Sequence, residues 1–344
     1  MKYRIFTTSL KAWTGMLADI EKAEKSIYLQ MYILGNDNAG LDFFTALERA
    51  ARRGIRVIVI LDVVGSLDIW AGNVSRLREA GAEVLYSSFW FQRMHRKILI
   101  VDEVVAYAGG VNIARKFSVW RDLMIRVTGS VLGPMMRSFF RIYQASGGSD
   151  KELYKKRKIN DGKKAGMSFV DHGLGKRRNM LRRYYEERIG GAKESLVLVT
   201  PYFFPPRWFI ALLHQAVIRG VKIDILLPSV GDHPFANPVN RSYASVLTDL
   251  GARVYLSPIM NHAKAMLIDE REGIIGSQNL DILSFNINLE AGVFFKDPDM
   301  VRQLSLIIEN WKKDAVVFDS KEAKFHWYDV PVAFLLRLLG FIPV

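Results

Sequence analysis

Two stretches of the sequence, one in each half, decide how the rest is interpreted: MHRKILIVDEVVAYAGGVNIA over Met94–Ala114 and NHAKAMLIDEREGIIGSQNLD over Asn261–Asp281. Both contain His-x-Lys, then four residues and Asp, then six residues, a Gly-Gly or Gly-Ser pair, one residue and Asn. A match at so many positions with one spacing is too specific for coincidence. The chain therefore carries a duplicated motif, and a duplication changes how each copy is interpreted.

Three further pairs of segments repeat in the same order along the chain. Each pair has a helix end, a turn and a strand rich in β-branched or aromatic residues. The pairs are Ile20–Leu34 with Ile189–Phe203, Ala46–Asp62 with Ala211–Pro228, and Leu77–Tyr86 with Leu247–Leu256. Gly54 and Gly220 stand where a helix would end in a left-handed cap before a buried strand. We therefore predict an α/β fold of two similar lobes, each a mixed β-sheet flanked by helices, related by a pseudo-two-fold axis with the active site between them.

The duplication divides the chain into four parts. We expect an N-terminal lobe over residues 1–144, a basic connection over 145–183, a C-terminal lobe over 184–319 and an apolar end over 320–344. The connection is rich in Lys and Arg without apolar periodicity, which is typical of a solvated linker or of a mobile lid facing a polyanion. The apolar end is too short to span a bilayer and would either lie in a membrane interface or cover a core.

Composition narrows the partners and excludes some chemistry. The 344 residues carry 48 Lys and Arg against 35 Asp and Glu, which gives a net charge of +13. Such a positive surface favours an anionic partner, either nucleic acid or an acidic lipid surface. Cys is absent, which excludes disulfides, thiolate metal sites and cysteine nucleophiles. No apolar run reaches the roughly 20 residues of a membrane-spanning helix, and no signal peptide is recognisable.

The residue types of the first motif suit a phosphate group. His95 and Lys97 lie two apart at the start of a predicted strand over Ile98–Val101, so their side chains leave the same face. The small pair Gly109–Gly110 would let the backbone approach a ligand, and Asn112 would deliver an amide to the same place.

The second motif repeats this arrangement and adds a hydroxyl group. His262, Lys264 and Asn279 occupy the corresponding positions, and Ser277 replaces the second glycine. Two imidazoles, two ammonium groups and two amides converging from both lobes would suit one tetrahedral phosphate oxyanion. We expect neither a metal nor a cofactor, because a Lys beside each His would repel a cation.

These paired motifs resemble the phospholipase D superfamily, whose signature is the duplicated His-Lys-Asp pattern, over about residues 25–319. Within it the chain is most similar to bacterial cardiolipin synthases, in a shorter subgroup without membrane-spanning helices. The phrases that carry the resemblance are RMHRKILIVD (Arg93–Asp102), AGGVNIA (Ala108–Ala114), VTPYFFP (Val199–Pro205) and GSQNLDILSFNINLEAGVFFKD (Gly276–Asp297). The sequence departs from many relatives at Gln30, where they have an acidic residue. The resemblance implies two phospholipase-D-like lobes.

The resemblance also implies a role for each motif residue. His95 is expected to attack phosphorus and form a phosphohistidine, and His262 to act as general acid and base, although the symmetry of the sequence leaves their order open. The side chains expected to hold the non-bridging oxygens are Lys97, Lys264, Asn112 and Asn279. The supporting residues are Asp122 and Glu290, carboxylates expected to orient the imidazoles; Asp102 and Asp269, expected to be structural; and Gly110 and Ser277, placed beside the phosphate.

Four functions stay open, and the resemblance favours phosphatidyl transfer from phosphatidylglycerol to an alcohol, a second phosphatidylglycerol. The others are hydrolysis of phospholipid, a phosphodiesterase or nuclease activity, and a silent lipid-binding module. FFPPRWF over Phe203–Phe209 and the apolar end favour lipid, whereas the aromatic run Phe89–Phe91 suits lipid or nucleic acid. We expect an anionic phospholipid substrate and peripheral attachment to the cytoplasmic face of a bacterial cell membrane. We also expect activity as a monomer, with nucleic acid a less favoured partner.

Overall fold

Helices and strands alternate along most of the described chain. The computed structural model describes residues 2–37, 39–67, 69–87, 92–150, 153, 166–173, 180–232 and 236–320. The helices are α1 (Ser9–Glu21), α2 (Phe43–Arg52), α3 (Ala71–Glu79), α4 (Leu132–Ala145), α5 (Met180–Gly191), α6 (Arg207–Ile218), α7 (Ala236–Asp249), α8 (Ile282–Asn286) and α9 (Pro298–Lys313). The strands are β1 (Tyr3–Thr8), β2 (Ser26–Met31), β3 (Arg56–Asp62), β4 (Glu83–Ser87), β5 (Ile98–Val101), β6 (Val105–Gly109), β7 (Arg121–Thr128), β8 (Met167–His172), β9 (Ser195–Val199), β10 (Phe203–Phe204), β11 (Lys222–Pro228), β12 (Arg253–Ser257), β13 (Ala265–Ile268), β14 (Glu272–Gly276), β15 (Leu280–Asp281), β16 (Glu290–Phe295) and β17 (Val316–Val317).

The first sheet is mixed and covered by helices on both faces. Its order is β1-β7-β6-β5-β2-β3-β4, with β2, β3 and β4 parallel and the remaining neighbours antiparallel. On one face, Leu29 of β2 lies in a core cluster with Trp13 of α1 and Phe43 of α2. On the opposite face, the ring of Tyr28 lies 5.4 Å from that of Phe139 in α4. Because neither face meets water, β2 is buried along its whole length.

Four glycines end the helices that lead into parallel strands. Gly54, Gly81, Gly220 and Gly251 have φ values of +83°, +95°, +87° and +94°. This left-handed conformation is accessible to glycine without the steric cost that a Cβ would bring. The left-handed caps predicted at Gly54 and Gly220 are confirmed, and each of the four glycines turns the chain towards a strand.

The second sheet repeats the arrangement of the first. Strands β9, β11 and β12 are parallel, and β13 runs antiparallel to β9 in the same way that β5 runs antiparallel to β2. Strand β17 adds an antiparallel edge to β12, and β10 and β15 form a separate two-residue parallel pair. The predicted α/β class, with two similar mixed sheets flanked by helices, is confirmed.

The chain divides into two compact units whose boundary does not follow the sequence. Unit 1 comprises Met1–Leu174 together with two short later segments, Ile275–Ser277 and Ile287–Phe294, and unit 2 contains the remainder. Unit 1 is therefore completed by residues from the second half of the sequence. Within the ranges given above, no helix has the length and apolar character needed to cross a bilayer.

Part of the predicted basic connection is strand β8, which is anchored in unit 1 by a buried polar cluster. Asp171 of β8 accepts a hydrogen bond of 2.7 Å from Ser138 and is ion-paired with Arg141. The guanidinium of Arg96, almost completely buried, donates to Ser138 at 2.8 Å and to the backbone oxygen of His172 at 2.8 Å. Strand β8 is also hydrogen-bonded to β16 at the edge of the second sheet, so backbone pairing and polar side-chain contacts together hold it in place without apolar periodicity. Most of the Lys and Arg of the connection, the aromatic run at 89–91 and the end over 321–344 lie outside the described residues.

Candidate active site

The first motif presents its histidine with one ring nitrogen already engaged. His95 precedes β5 and is buried, and its Nδ1 lies 3.0 and 3.1 Å from the two carboxylate oxygens of Glu290. Burial by itself would raise the pKa of Glu290, but the nearby His95, Lys97 and Ser277 together hold that pKa below its ordinary value. An ionised carboxylate only accepts hydrogen bonds, so Nδ1 carries the proton. With its proton on Nδ1, the imidazole presents Nε2 as its nucleophilic nitrogen.

Ser277 fixes the position of that carboxylate. Its hydroxyl donates to Oε2 of Glu290 and accepts the backbone N–H of Ala291 at 3.0 Å. Sequence spacing assigned the Ser277 hydroxyl to the second motif and left open which imidazole Glu290 serves. In the structure, Ser277 and Glu290 both support His95 within unit 1, because the segments that carry them belong to that unit.

The lysines of the two motifs share one geometry. Lys97 donates to the backbone oxygen of His95 at 2.6 Å, and Lys264 donates to the backbone oxygen of His262. Both ammonium groups belong to side chains that are 1% exposed. Removing a cation from water costs free energy, which the backbone oxygen beside each ammonium partly offsets. Once buried, the cation attracts a nearby anion more strongly than it would in water. Each motif therefore places a cation within its own histidine's surroundings.

The second histidine lies against its own lysine. Nζ of Lys264 is 2.8 Å from Nδ1 and 2.9 Å from Nε2 of His262. Nearly equal distances mean that the ammonium does not lie along the lone pair of either nitrogen. The ring of Tyr202 packs edge-on to the same imidazole, with centroids 6.3 Å apart.

The two asparagines leave an amide oxygen without a protein partner. Asn112 and Asn279 are 4% and 5% exposed, and among the described residues neither Oδ1 has a hydrogen-bond partner. Their backbones are fixed: the oxygen of Asn112 accepts the indole N–H of Trp13 at 2.9 Å, and the N–H of Asn279 donates to Ser284 at 3.2 Å. A buried polar atom without a partner is costly, so its recurrence at corresponding positions points to a ligand. Because amide orientation is interchangeable, either end of the amide serves this role.

The aspartates of the motifs bind backbone rather than facing a ligand. Asp102 accepts the backbone N–H groups of Glu24, Lys25 and Ser26 at 2.9, 2.7 and 2.9 Å. Asp269 does the same for residues 193–195 in the second half. Their φ values of +51° and +50° are tolerated best by Asp, Asn and Gly. Burial alone would raise the pKa of each carboxyl, but the backbone N–H groups hold both below the ordinary value.

Strand packing explains the small residues at the end of β6. A Cβ on Gly109 would lie 2.2 Å from the backbone oxygen of Leu123 in β7, so a side chain has no room there. The N–H of Gly110 donates to that same oxygen at 2.9 Å. The sequence interpretation, a backbone that approaches a ligand, is therefore replaced at Gly109 by close approach to a neighbouring strand.

Asp122, at the start of β7, is buried and accepts the N–H of Leu123 at 2.7 Å.

Two residues beside His95 were missed from the sequence. The ring of Tyr32 packs edge-on to the imidazole with centroids 4.7 Å apart, and Nζ of Lys97 lies 4.9 Å from the centroid of the same ring. Asp62, at the end of β3, accepts the N–H of Met94 at 2.7 Å and so fixes the residue before the histidine. Burial, followed by the charge of Asp62, raises the pKa of Tyr32. The sequence feature that could have identified Tyr32 is its repetition: Tyr32 and Tyr202 each follow shortly after a corresponding strand, β2 and β9.

Comparison with known proteins places these features in a family. The family model described as "Cardiolipin synthase, PLD-like domain" matches residues 16–139 and 185–311, and each match contains one His-Lys-Asp motif. The chain belongs to this family. Members of the cardiolipin synthase family are also its curated relatives. The chain is 28% identical to "Cardiolipin synthase 2" of Staphylococcus epidermidis over 92% of its own length and 69% of the relative. It is 31% identical to "Cardiolipin synthase" of Oceanobacillus iheyensis over 87% of its own length and 66% of the relative.

A solved structure shows that the fold extends over nearly the whole chain. The structure of phosphatidylserine synthase from Haemophilus influenzae Rd KW20 matches with a TM-score of 0.77 at 17% identity. The match covers 98% of this chain and 92% of that one. At this identity the likeness establishes the shared phospholipase-D-like fold. In the described ranges, no group of three or more His, Cys, Asp or Glu is arranged to hold a metal ion.

Proposed function

We propose that this member of the cardiolipin synthase family transfers a phosphatidyl group from one phosphatidylglycerol to a hydroxyl of a second, releasing glycerol. The observation that carries the proposal is the buried contact between Nδ1 of His95 and Glu290, which orients the imidazole so that Nε2 is its nucleophilic nitrogen. The similarity to cardiolipin synthases supports the choice of lipid. We further propose that the protein works as a monomer, peripherally attached to the cytoplasmic face of a bacterial membrane.

In the first step, Nε2 of His95 attacks phosphorus. The N–P bond forms as the bond from phosphorus to the glycerol oxygen breaks, and the leaving oxygen takes a proton from His262. The resulting imidazolium at His95 keeps its proton on Nδ1 and donates it in a hydrogen bond to Glu290, whose ionised carboxylate stabilises the positive charge. The lipid is then attached covalently to the enzyme as a phosphatidyl-histidine.

In the second step, a hydroxyl of the incoming phosphatidylglycerol gives its proton to His262 and attacks phosphorus. The new O–P bond forms as the N–P bond breaks, which restores His95 and releases cardiolipin. His262 therefore alternates between acid and base, while His95 alternates between free and phosphorylated.

The non-bridging oxygens need cations and hydrogen-bond donors that are in place before the reaction. We propose Lys97 and Lys264 as the cations and Asn112 and Asn279 as the amides. Their burial supports this role, since fixed polar groups in a region without water stabilise developing negative charge more strongly than mobile ones.

Product analysis with labelled phosphatidylglycerol tests the reaction class. Purified protein is incubated separately with phosphatidylglycerol labelled in its acyl chains and with single-stranded DNA. Cardiolipin with stoichiometric glycerol supports the proposal. Phosphatidic acid as the sole lipid product would establish hydrolysis instead, and nucleotide release would establish a nuclease.

A trapping experiment tests the roles of the two histidines. His262→Ala should accumulate a phosphatidyl adduct on His95, detected by intact mass and peptide mapping at neutral pH, whereas His95→Ala should form none. His214→Ala, an exposed histidine on α6, is the matched control and should keep full turnover. An adduct on His262 in the His95→Ala protein would reverse the assignment.

A further inference from the structure

The surface beside His95 carries exposed apolar side chains that the catalytic scheme does not use. In the connection between β3 and α3, Leu67 is 71% exposed, Trp70 66% and Val64 45%. We call Val64, Leu67 and Trp70 the apolar rim. Single exposed apolar residues are common, but three large ones in one short connection mark an interaction surface.

The base of the apolar rim is fixed to the chain that carries the catalytic histidine. The carboxylate of Asp62 accepts the N–H groups of Val64 and Gly65, each at 2.9 Å, and the N–H of Met94 at 2.7 Å. One buried side chain therefore holds the start of the rim and the residue preceding His95 together.

A second connection runs through Tyr32. The hydroxyl of Ser66 donates to the backbone oxygen of Tyr32 at 3.1 Å, and a Cβ on Gly65 would lie 2.3 Å from that oxygen. The ring of Tyr32 in turn packs on the imidazole of His95. The rim is thus a direct extension of the surroundings of His95, with its base held by hydrogen bonds and its apolar side chains facing solvent.

Cations lie beside the far end of the rim. The N–H of Trp70 donates to the side chain of Asn36 at 2.8 Å, and the next residue, Asp37, binds Arg115 through both backbone and side chain. The Arg115 side chain is 72% exposed, and the neighbouring Lys116 is exposed as well. A Trp and Leu surface flanked by Arg and Lys matches the interface of an anionic bilayer, where apolar side chains enter the acyl boundary and cations meet phosphates.

We propose that the apolar rim is the surface through which this protein enters the interface of an anionic phospholipid bilayer. The inference rests on the proposed function, because a phospholipid whose phosphate reaches His95 keeps its acyl chains in or near the bilayer. The protein surface next to His95 then has to meet the interface, and the rim is the apolar part of that surface. Membrane binding and access of the lipid to the histidine therefore use one fixed element.

The binding test compares two exposed apolar sites on the same protein. Wild type, the double variant Leu67→Glu/Trp70→Glu and the control Ile218→Glu are floated with vesicles of phosphatidylglycerol and phosphatidylcholine. Ile218 on α6 is 72% exposed and lies outside the apolar rim. Its replacement by Glu adds one negative charge, as each of the two rim substitutions does. We expect vesicle binding to weaken about tenfold or more in the double variant and less than about twofold in the control.

An activity test separates docking from chemistry. On dispersed short-chain phosphatidylglycerol the double variant should turn over at the wild-type rate, and on vesicles it should lose activity in proportion to binding. Trp70→Phe should retain binding. Should the double variant fail to fold by circular dichroism, Leu67→Gln replaces it, with a loss of about threefold expected.

The outcomes separate the two proposals. Wild-type vesicle binding by a folded rim variant would overturn the docking surface, as would equal loss of activity on dispersed and vesicle substrates. Binding that depends on the rim, in a protein that makes no cardiolipin, would support the docking surface and reject the proposed transfer reaction.

Discussion

Replacing Glu290 by Gln tests whether the first histidine depends on a charged partner. The amide has nearly the same size, so packing in this fully buried position is kept while the negative charge is removed. In the proposed mechanism, the imidazolium that forms at His95 would then lose its stabilising partner. The amide can also turn its NH₂ towards Nδ1, which would favour the tautomer with a proton on Nε2.

The size of the effect follows from the kind of hydrogen bond that is lost. A hydrogen bond to a charged group contributes about 1.5–3 kcal/mol. Since about 1.4 kcal/mol corresponds to a factor of ten in rate, kcat should fall by about 10- to 150-fold. KM should change little, because the carboxylate contacts the imidazole and not the substrate.

The assay is cardiolipin formation from dispersed phosphatidylglycerol, with kcat and KM determined separately. Glu272→Gln, a carboxylate ion-paired with Arg188, is the control and should keep kcat. Ser277→Ala should reduce kcat less than Glu290→Gln, and the double variant should be no slower than Glu290→Gln alone, because Ser277 acts through Glu290. A kcat within twofold of wild type for Glu290→Gln would refute the reasoning.

Three further predictions concern stability. Asp102→Ala should lower the free energy of unfolding by about 3 kcal/mol, because three hydrogen bonds to backbone N–H groups are lost and Ala tolerates the positive φ less well. Turnover per folded molecule should stay unchanged. Urea denaturation with parallel activity assays measures both quantities. The folded protein holds the pKa values of Asp102 and Glu290 low, so the two carboxylates stabilise the fold above about pH 4.5. This stabilisation is lost as the pH falls through the pKa values of the folded state. Melting temperatures measured between pH 7 and 3 should therefore decline less steeply in Asp102→Ala than in wild type. Arg96→Met should lower the free energy of unfolding by about 3 kcal/mol in the same urea assay, because it breaks the buried ion pair between Arg96 and Asp171, which lie 3.7 Å apart. This is near the lower end for such a pair, since Arg141 still neutralises Asp171. An unchanged midpoint would contradict this role.

Local spacing predicted the elements that carry the motifs. The expected strand over Ile98–Val101 coincides with β5, and Gly54 and Gly220 adopt the expected left-handed caps. These features depend on neighbours in sequence: periodicity defines the strand, and the absence of a Cβ defines the cap.

Contacts between segments that are distant in the sequence could not be predicted in this way. Nothing in the spacing of the second motif indicates that Ser277 and Glu290 support His95, because that pairing depends on which unit the late segments join. Asp62 and Tyr32 each stand at the end of a strand, and a single polar or aromatic residue there is too common to indicate a role. Only their contacts with Met94 and His95 identify them.

The return of two late segments to the first unit has a consequence for synthesis on the ribosome. His95 emerges from the exit tunnel long before Glu290, so the imidazole of the nascent N-terminal half waits for its carboxylate partner until a further 195 residues have been made. A fragment cut in the basic connection would contain the whole first motif and still lack the partner of its imidazole. The first copy of the duplicated motif is therefore not self-sufficient, because the second half of the chain supplies the carboxylate that orients its histidine.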